Sequence, residues 1–402
     1  MSEKYIKFLD SYPDTEIHFG AGVIEKLPEL LKKLQAGKIS VFTGKYSADK
    51  NGSWQRLTQL FEQHGITYSR FSEVEPEPAI ATVNRMTRFL NEYQPDAVVA
   101  LGGGSVLDAA KAAYLLFQAG GELDDYFGMN RFSQKYPEKI LKKVICLPTT
   151  SGTGSEATPY SNIVDPELQV KKLVVEKEII PQYSFIDPTL SASMPETVTV
   201  ATAFDAMAHS LEGFLNVNQD SKHPEANNWA LESIRLIVEN LPLIQKSPES
   251  IEARTALAAA ACLGGMVIRN KSTGLPHLCS FSWFGKIEHG IAVAVLLPYA
   301  WKYYLESEAV RKRTMELKEI FGGDSPEAIV NAYCDFMKKC GLKTELRNYG
   351  LITPELLKNT AKSASENQMK LELAPKPVPL EESFQILDLI LNNAWEGKLF
   401  NK

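Results

Sequence analysis

The sequence predicts an α/β domain followed by an all-helical one. Over roughly the first 185 residues, short β-branched runs alternate with amphipathic helical stretches, and beyond them nearly every segment follows an apolar period of 3.6 residues. Size agrees, since 402 residues at one domain per roughly 100–200 residues suggest two domains, or three. The domains are expected at 1–185 and 186–402.

Residues 38–43 (KISVFT), 66–74, 96–101 (DAVVAL) and 143–147 (KVICL) read as strands, with helices over 23–35, 53–64, 79–93 and 105–118. A helix after each strand is what a parallel, doubly wound sheet requires, because every parallel crossover must return the chain to the same end. Residues 162–164 and 171–175 flank Asp165-Pro166-Glu167, a turn composition suited to a β-hairpin or ribbon. Phe185-Ile186-Asp187-Pro188 marks a turn near the seam. Helical periodicity then runs over 197–217, 225–241, 250–269, 289–306, 308–321, 326–340 and 381–395.

Composition narrows the function. With 44% hydrophobic and 23% charged residues the chain can bury a full core. Its 43 basic residues against 49 acidic ones leave a formal charge of −6, which offers no cationic field for nucleic acid or anionic lipid. The longest apolar run, 256–268, spans about 20 Å as a helix, short of the ~30 Å hydrocarbon core, and is expected to be buried in protein. Acids and aromatics in MSEKYIKFLDSYPDTEIHFG interrupt any signal-peptide core, so a cytoplasmic protein is expected. Cys146, Cys262, Cys279, Cys334 and Cys340 are odd in number and scattered, which fits neither a disulfide framework nor a thiolate metal site.

Two loops suit an anionic ligand. In DAVVALGGGSVLDAAKAA a strand passes through Gly102-Gly103-Gly104 into a helix opened by Ser105, with Asp108 completing a capping box. Glycines admit close backbone approach, and the positive end of the helix favours a phosphate, although the spacing is not G-x-G-x-x-G. The stretch 149–156 (TTSGTGSE) follows the KVICLP strand and is too polar for core; Thr149, Thr150 and Thr153 are candidate contacts. Both loops fall at the carboxyl ends of strands, where open α/β sheets bind ligands.

A metal constellation lies in the helical half. His209 follows Asp205 by four residues, so both project from one helical face. A salt-bridged or capping pair is the plainer alternative. His277 sits in a Gly/Pro-bearing turn, and His289-Gly290 opens the apolar helix IAVAVLLP. Three neutral imidazoles and one carboxylate suit Fe²⁺ or Zn²⁺, leave a net positive charge and allow an open position for a substrate oxygen.

These motifs carry a resemblance. GGGSVLDAAKA, LPTTSGTGSEATPYS, FIDPTLSASMPETVTVATAFDAMAHSLEGFL and HGIAVAVLLP, in that order, resemble the iron-containing (group III) alcohol dehydrogenase family. The likeness runs from the FGAG turn at 19–22 to PVPLEESFQILDLILNNA near the end. It implies a dehydroquinate-synthase-like fold, with a Rossmann-like dinucleotide-binding domain and a helical metal-binding domain. It also implies a nicotinamide cofactor and a divalent metal on Asp205, His209, His277 and His289. Hydride would pass between the cofactor and a primary alcohol or aldehyde, in a homodimer or larger homo-oligomer.

The residues after the second strand bear on the choice of cofactor. NAD enzymes usually place a carboxylate at that strand end for the ribose 2′-OH, and this chain places Gly44 there. Lys45, Lys50 and the Ser47 hydroxyl instead suit a 2′-phosphate, so NADP is expected over NAD, with Asp49 pulling the other way.

Three departures from the family pattern stand out. Phe281 replaces a second histidine and cannot relay a proton, the stretch between His277 and His289 is about two residues short, and Glu77 replaces an asparagine. Phe281, Trp283 and Phe284 suggest an apolar substrate pocket. The alternatives are a dehydroquinate-synthase-like, metal-dependent lyase, whose polyanionic substrate would need a basic pocket, and a catalytically retired binding protein on the same scaffold.

Overall fold

The computed structural model describes residues 4–168 and 170–400. Strands β1 (Glu16–Phe19), β2 (Lys38–Gly44), β3 (Thr67–Val74), β4 (Ala97–Gly102), β5 (Gly128–Met129), β6 (Ile145–Pro148), β7 (Tyr160–Asp165), β8 (Val170–Val175) and β9 (Tyr183–Ile186) form two sheets. The larger is all parallel, in the order β1-β9-β6-β4-β2-β3. The smaller, β5-β8-β7, contains the antiparallel ribbon expected around Asp165-Pro166-Glu167.

Alternation along the central strands explains why helices cover both faces. Phe42, Val98 and Ala100 pack on one side with Val106, Leu107 and Tyr114 from the helix Gly104–Ala119 and Val83 and Met86 from Ile80–Tyr93. Ile39, Val41, Val99 and Leu101 point the other way, onto Leu27, Leu31, Leu57 and Phe61. Two apolar faces cannot both meet water, so the sheet is doubly wound. The chain order reverses between β2 and β4, which makes their carboxyl ends the switch point of the sheet.

Three strands escape the sequence pattern: β5, of two residues, and β1 and β9. β1 and β9 have four residues each, too few to show alternation, and they pair with each other from Glu16↔Tyr183 to Phe19↔Ile186. Phe185-Ile186 is therefore buried strand, and the turn begins only at Asp187, whose side chain accepts the Thr189 N–H at 3.0 Å.

The chain divides into two compact units. The first holds the residues up to Pro195 together with Pro248–Gly265, and the second holds Glu196–Ser247 with the chain from Met266 onward. The seam thus lies ten residues beyond 185, and one stretch of the helical half belongs with the sheet. Backbone contact accounts for that return: a Cβ on Gly265 would lie 2.4 Å from the Gly154 carbonyl oxygen. The returning stretch belongs to the helix Ile251–Asn270, whose 20 residues are about 30 Å long, so length alone would let it cross a bilayer. Burial decides otherwise, since 83% of its most apolar window lies inside the protein.

The second unit is helical among the described residues, with Glu196–Leu215 and His289–Tyr304 packed together at its centre. Pro354–Ser365 is a helix that the periodicity did not reveal, capped by Thr353, which accepts the Leu356 N–H at 3.2 Å. All five cysteines are free and buried.

Candidate functional site

The helix Glu196–Leu215 presents Asp205, His209 and Glu212 inward, all buried. His277 does not lie in an open turn, as its Gly/Pro setting suggests, but on the short helix Leu275–Ser280, which Pro276 helps to start. His289 is the first residue of the next long helix. Gly290 brings that helix against Glu196–Leu215: a Cβ there would lie 1.8 Å from the Ala201 carbonyl oxygen.

These elements converge on one atom. The Nε2 atoms of His209, His277 and His289 lie 3.7, 3.7 and 3.6 Å from Asp205 Oδ1. Ligands held about 2.0–2.2 Å from a tetrahedral ion are themselves about 3.3–3.6 Å apart, so the distances to Asp205 suit a ligand shell. Asp205, His209 and His277 offer atoms that all lie within 4.8 Å of one another. Asp205 Oδ1 and His277 Nε2 are buried without a hydrogen-bond partner, a costly state that a cation would relieve. The donor set fits a divalent metal.

The electrostatics run the same way. Burial alone would disfavour the Asp205 carboxylate, but His209, His289 and His277 hold its pKa well below the ordinary range. Burial pushes His209 down to about 4, leaving a neutral imidazole at pH 7. His277 is also penalised by burial, yet Glu212 and Asp205 push it up to about 9.

Glu212 is the residue that sequence reasoning missed. Its Oε1 accepts the His277 Nδ1–H at 2.5 Å, and its Oε2 accepts the Gly274 N–H at 2.6 Å. This carboxylate fixes the His277 tautomer and turns Nε2 toward Asp205. The available signal was its position three residues beyond His209, on the same helical face. Lys370 was missed as well. Its Nζ donates to Thr273 Oγ1 at 2.8 Å and Ser272 Oγ at 3.1 Å, steadying the turn before His277, and burial lowers it to about 8 against the opposing pull of Glu212.

The aromatic residues near this centre divide. Trp283 is core: it is buried, and its Nε1–H donates to Thr360 Oγ1 at 2.8 Å, so it does not line a pocket. Phe281 and Phe284 are half-buried on the same turn. Ser280 Oγ lies 3.4 Å from His289 Nδ1.

In the first unit, the glycine turn and the threonine loop lie side by side. β4 pairs with β6 up to Gly102↔Pro148, and the Thr149 N–H donates to the Gly102 carbonyl at 2.9 Å. A Cβ on Gly103 would lie 3.1 Å from Thr150, and one on Gly104 2.5 Å from Thr153, so these glycines also let the two loops pack. The helix Gly104–Ala119 starts with no side-chain cap, leaving N–H groups and a positive dipole end for an anion.

The expected capping box does not form. Ser105 Oγ accepts the Glu77 N–H at 3.1 Å, while Asp108 accepts from Ser155 Oγ at 2.5 Å and Asn162 N at 2.9 Å. The helix begins earlier than that box requires, with Gly103 at its N-cap and Ser105 already inside the first turn, and Asp108 buttresses the threonine loop from behind. Glu77 sits at φ +54° between two prolines, a left-handed conformation easier for asparagine, and its carboxylate pairs with Lys171 at 2.7 Å. At the end of β2, Lys45 and Ser47 are exposed, and Ser47 Oγ lies 3.2 Å from where a Gly44 Cβ would sit.

A doubly wound unit with an uncapped glycine-turn helix and a helical unit with three histidines gathered on one carboxylate correspond to the dehydroquinate-synthase-like fold. The comparisons agree. A family model described as iron-containing alcohol dehydrogenase matches residues 14–188, and one described as the C-terminal part of the Fe-containing alcohol dehydrogenase family matches 199–391. The chain is 32% identical over 377 residues to the long-chain-alcohol dehydrogenase 1 of Geobacillus thermodenitrificans, covering 91% of this chain and 92% of that protein. It is 27% identical to the NADPH-dependent butanol dehydrogenase of Clostridium saccharobutylicum, covering 87% and 89%. The solved alcohol dehydrogenase from Oenococcus oeni superposes with a TM-score of 0.85 at 27% identity, covering 93% of this chain and 97% of that one. The chain belongs to the iron-containing alcohol dehydrogenase family, oxidoreductases that act on CH–OH groups, and this fits better than a lyase.

Proposed function

We propose that the protein is a metal-dependent, NADP-preferring alcohol dehydrogenase that also serves as an aldehyde reductase. The convergence of three imidazoles on Asp205 Oδ1 carries this reading. Asp205, His209, His277 and His289 would hold Fe²⁺ or Zn²⁺, with Glu212 orienting His277 from behind. When bound, the metal supplies a Lewis acid for the substrate oxygen and the nicotinamide carries the hydride. Gly102, Gly103, Gly104 and the threonines at 149, 150 and 153 would cradle the pyrophosphate at the uncapped helix end, and Lys45 and Ser47 would meet the 2′-phosphate.

Phe281 and Phe284 favour apolar aldehydes, each well-buried substrate methylene contributing up to ~0.8 kcal/mol. The long-chain and butanol enzymes among the relatives support that choice. The reading also takes the enzyme as a cytoplasmic homodimer or larger homo-oligomer. Five buried free thiols accord with a reducing compartment, and the mass in solution tests the assembly.

The deciding experiment loads the protein with Fe²⁺ or Zn²⁺ and measures aldehyde reduction with NADPH and NADH. His277→Ala or His289→Ala should abolish turnover while NADPH still binds. Unchanged activity in either variant, or a preference for polyhydroxy substrates over apolar ones, would reject the corresponding part of the reading.

A further inference from the structure

Residues 45–54, which follow β2, carry a single carboxylate, Asp49, and it is half exposed. A free carboxylate beside this strand end would repel a 2′-phosphate and invite a ribose 2′-OH. Asp49 is not free. Arg70, on the neighbouring strand β3 where it pairs in register with Val41, reaches over the end of β2. Its two terminal nitrogens donate to the two Asp49 oxygens at 2.8 and 2.5 Å, and its Nε–H donates to Thr43 Oγ1 at 2.9 Å. The guanidinium also lies over the Trp54 ring, 4.3 Å from its centroid. With each of its three nitrogens engaged once and one face covered, the Arg70 side chain is only 16% exposed, against 49% for Asp49.

We propose that Arg70 is a specificity-determining residue that masks Asp49 and so sets the preference for NADP over NAD. The inference rests on the NADP reading above and supplies its cause. Hydrogen bonds from Arg70 hold Asp49 below the usual carboxylate range, so the acid stays ionised but its charge is cancelled where it stands. What remains on the loop is Lys45 and Lys50, whose ammonium groups lie 5.2 and 5.7 Å from the centroid of the Tyr46 ring. Removing Arg70 has opposite consequences for the two cofactors. The 2′-phosphate then faces an unmasked anion, whereas the ribose 2′-OH of NADH gains a hydrogen-bond acceptor.

The test is direct binding of NADPH and NADH, followed by fluorescence in the full-length protein, which needs no turnover. Wild type should favour NADPH. In Arg70→Ala the NADPH:NADH affinity ratio should fall at least about tenfold, a change of about 1.4 kcal/mol. Arg70→Gln, which keeps the length of the side chain, should lose the ratio similarly and guards against a misfolded alanine variant. Adding Asp49→Asn to either should recover most of the loss, because the anion that Arg70 masked is gone. A wild-type protein that binds NADH as well as NADPH overturns the NADP reading, and the role of Arg70 falls with it. A wild type that favours NADPH, with a ratio unmoved in both Arg70 variants or unrecovered in the doubles, overturns the masking alone.

Discussion

Replacing Glu212 by Gln tests whether the centre is built for a metal. The glutamine keeps the shape of the side chain and one acceptor, but removes the charge that accepts the His277 Nδ1–H at 2.5 Å. Through the imidazole ring, a cation bonded to Nε2 would lie about 6.5 Å from that charge, given metal–nitrogen bonds of about 2.0–2.1 Å. At an effective dielectric of about 20, one unit charge at that distance is worth about 2.5 kcal/mol. His277, raised to about 9, must shed a proton to bind a divalent ion, and Glu212 stabilises that proton too, so only part of its attraction for the ion counts toward affinity. Allowing for screening, metal affinity should fall by about 2 kcal/mol, roughly thirtyfold, within the span usual for the partners of metal-ligating histidines. Competition between the metal-free protein and a chromogenic chelator for Zn²⁺ or Fe²⁺ measures this. A variant that keeps its circular dichroism spectrum and binds metal within about threefold of wild type would refute the role given to Glu212.

The other predictions probe the frame. Gly290→Ala should force the helix His289–Tyr304 off Ala201, costing about 1–3 kcal/mol and weakening metal binding, as a thermal melt and the same chelator assay would show. Gly103→Val should cut NADPH affinity at least about tenfold, by blocking the pyrophosphate and by pressing on Thr150; wild-type affinity would make the glycine turn a mere connection. Glu156 is buried, which pushes it up to about 7 from 4.5, so its contribution to stability is full below the unfolded value and is lost as pH rises through about 7. Over that window wild type should lose up to about 1.4 kcal/mol per pH unit relative to Glu156→Gln, and urea midpoints at pH 5 and pH 8 that move together in both proteins would argue against it.

The central strands and long helices were legible because many residues repeat one signal. Ile39 and Val41 against Phe42 in β2, and the four-residue step from Asp205 to His209, declare faces that burial later fills. What stayed hidden depends on partners far along the chain. Ser105 and Asp108 make a good local cap on paper, but the helix starts earlier, at Gly103 and Gly104, which leaves both side chains to the Glu77 N–H, Ser155 and Asn162. Trp283 looks like pocket lining until Thr360, 77 residues away, claims its indole N–H. Glu212 was visible as an acid on the right face, yet only the fold of Gly274 and His277 over it shows what it holds.

The return of Pro248–Gly265 to the sheet unit sets an order of events during synthesis. A nascent chain that has emerged only as far as Pro195 lacks the segment whose Gly265 backs Gly154, so the threonine loop has no wall behind it. At ~5–20 residues per second, some 70 further residues take about 4–14 s to translate, and through that interval the first unit is incomplete. During the same seconds the helix Glu196–Leu215 is already out, exposing an apolar face whose partner, His289–Tyr304, has yet to appear. Folding is therefore interleaved rather than sequential. A gene cut at the apparent domain seam should yield a fragment prone to aggregation, whereas one ending after residue 270 would include every stretch of the sheet unit.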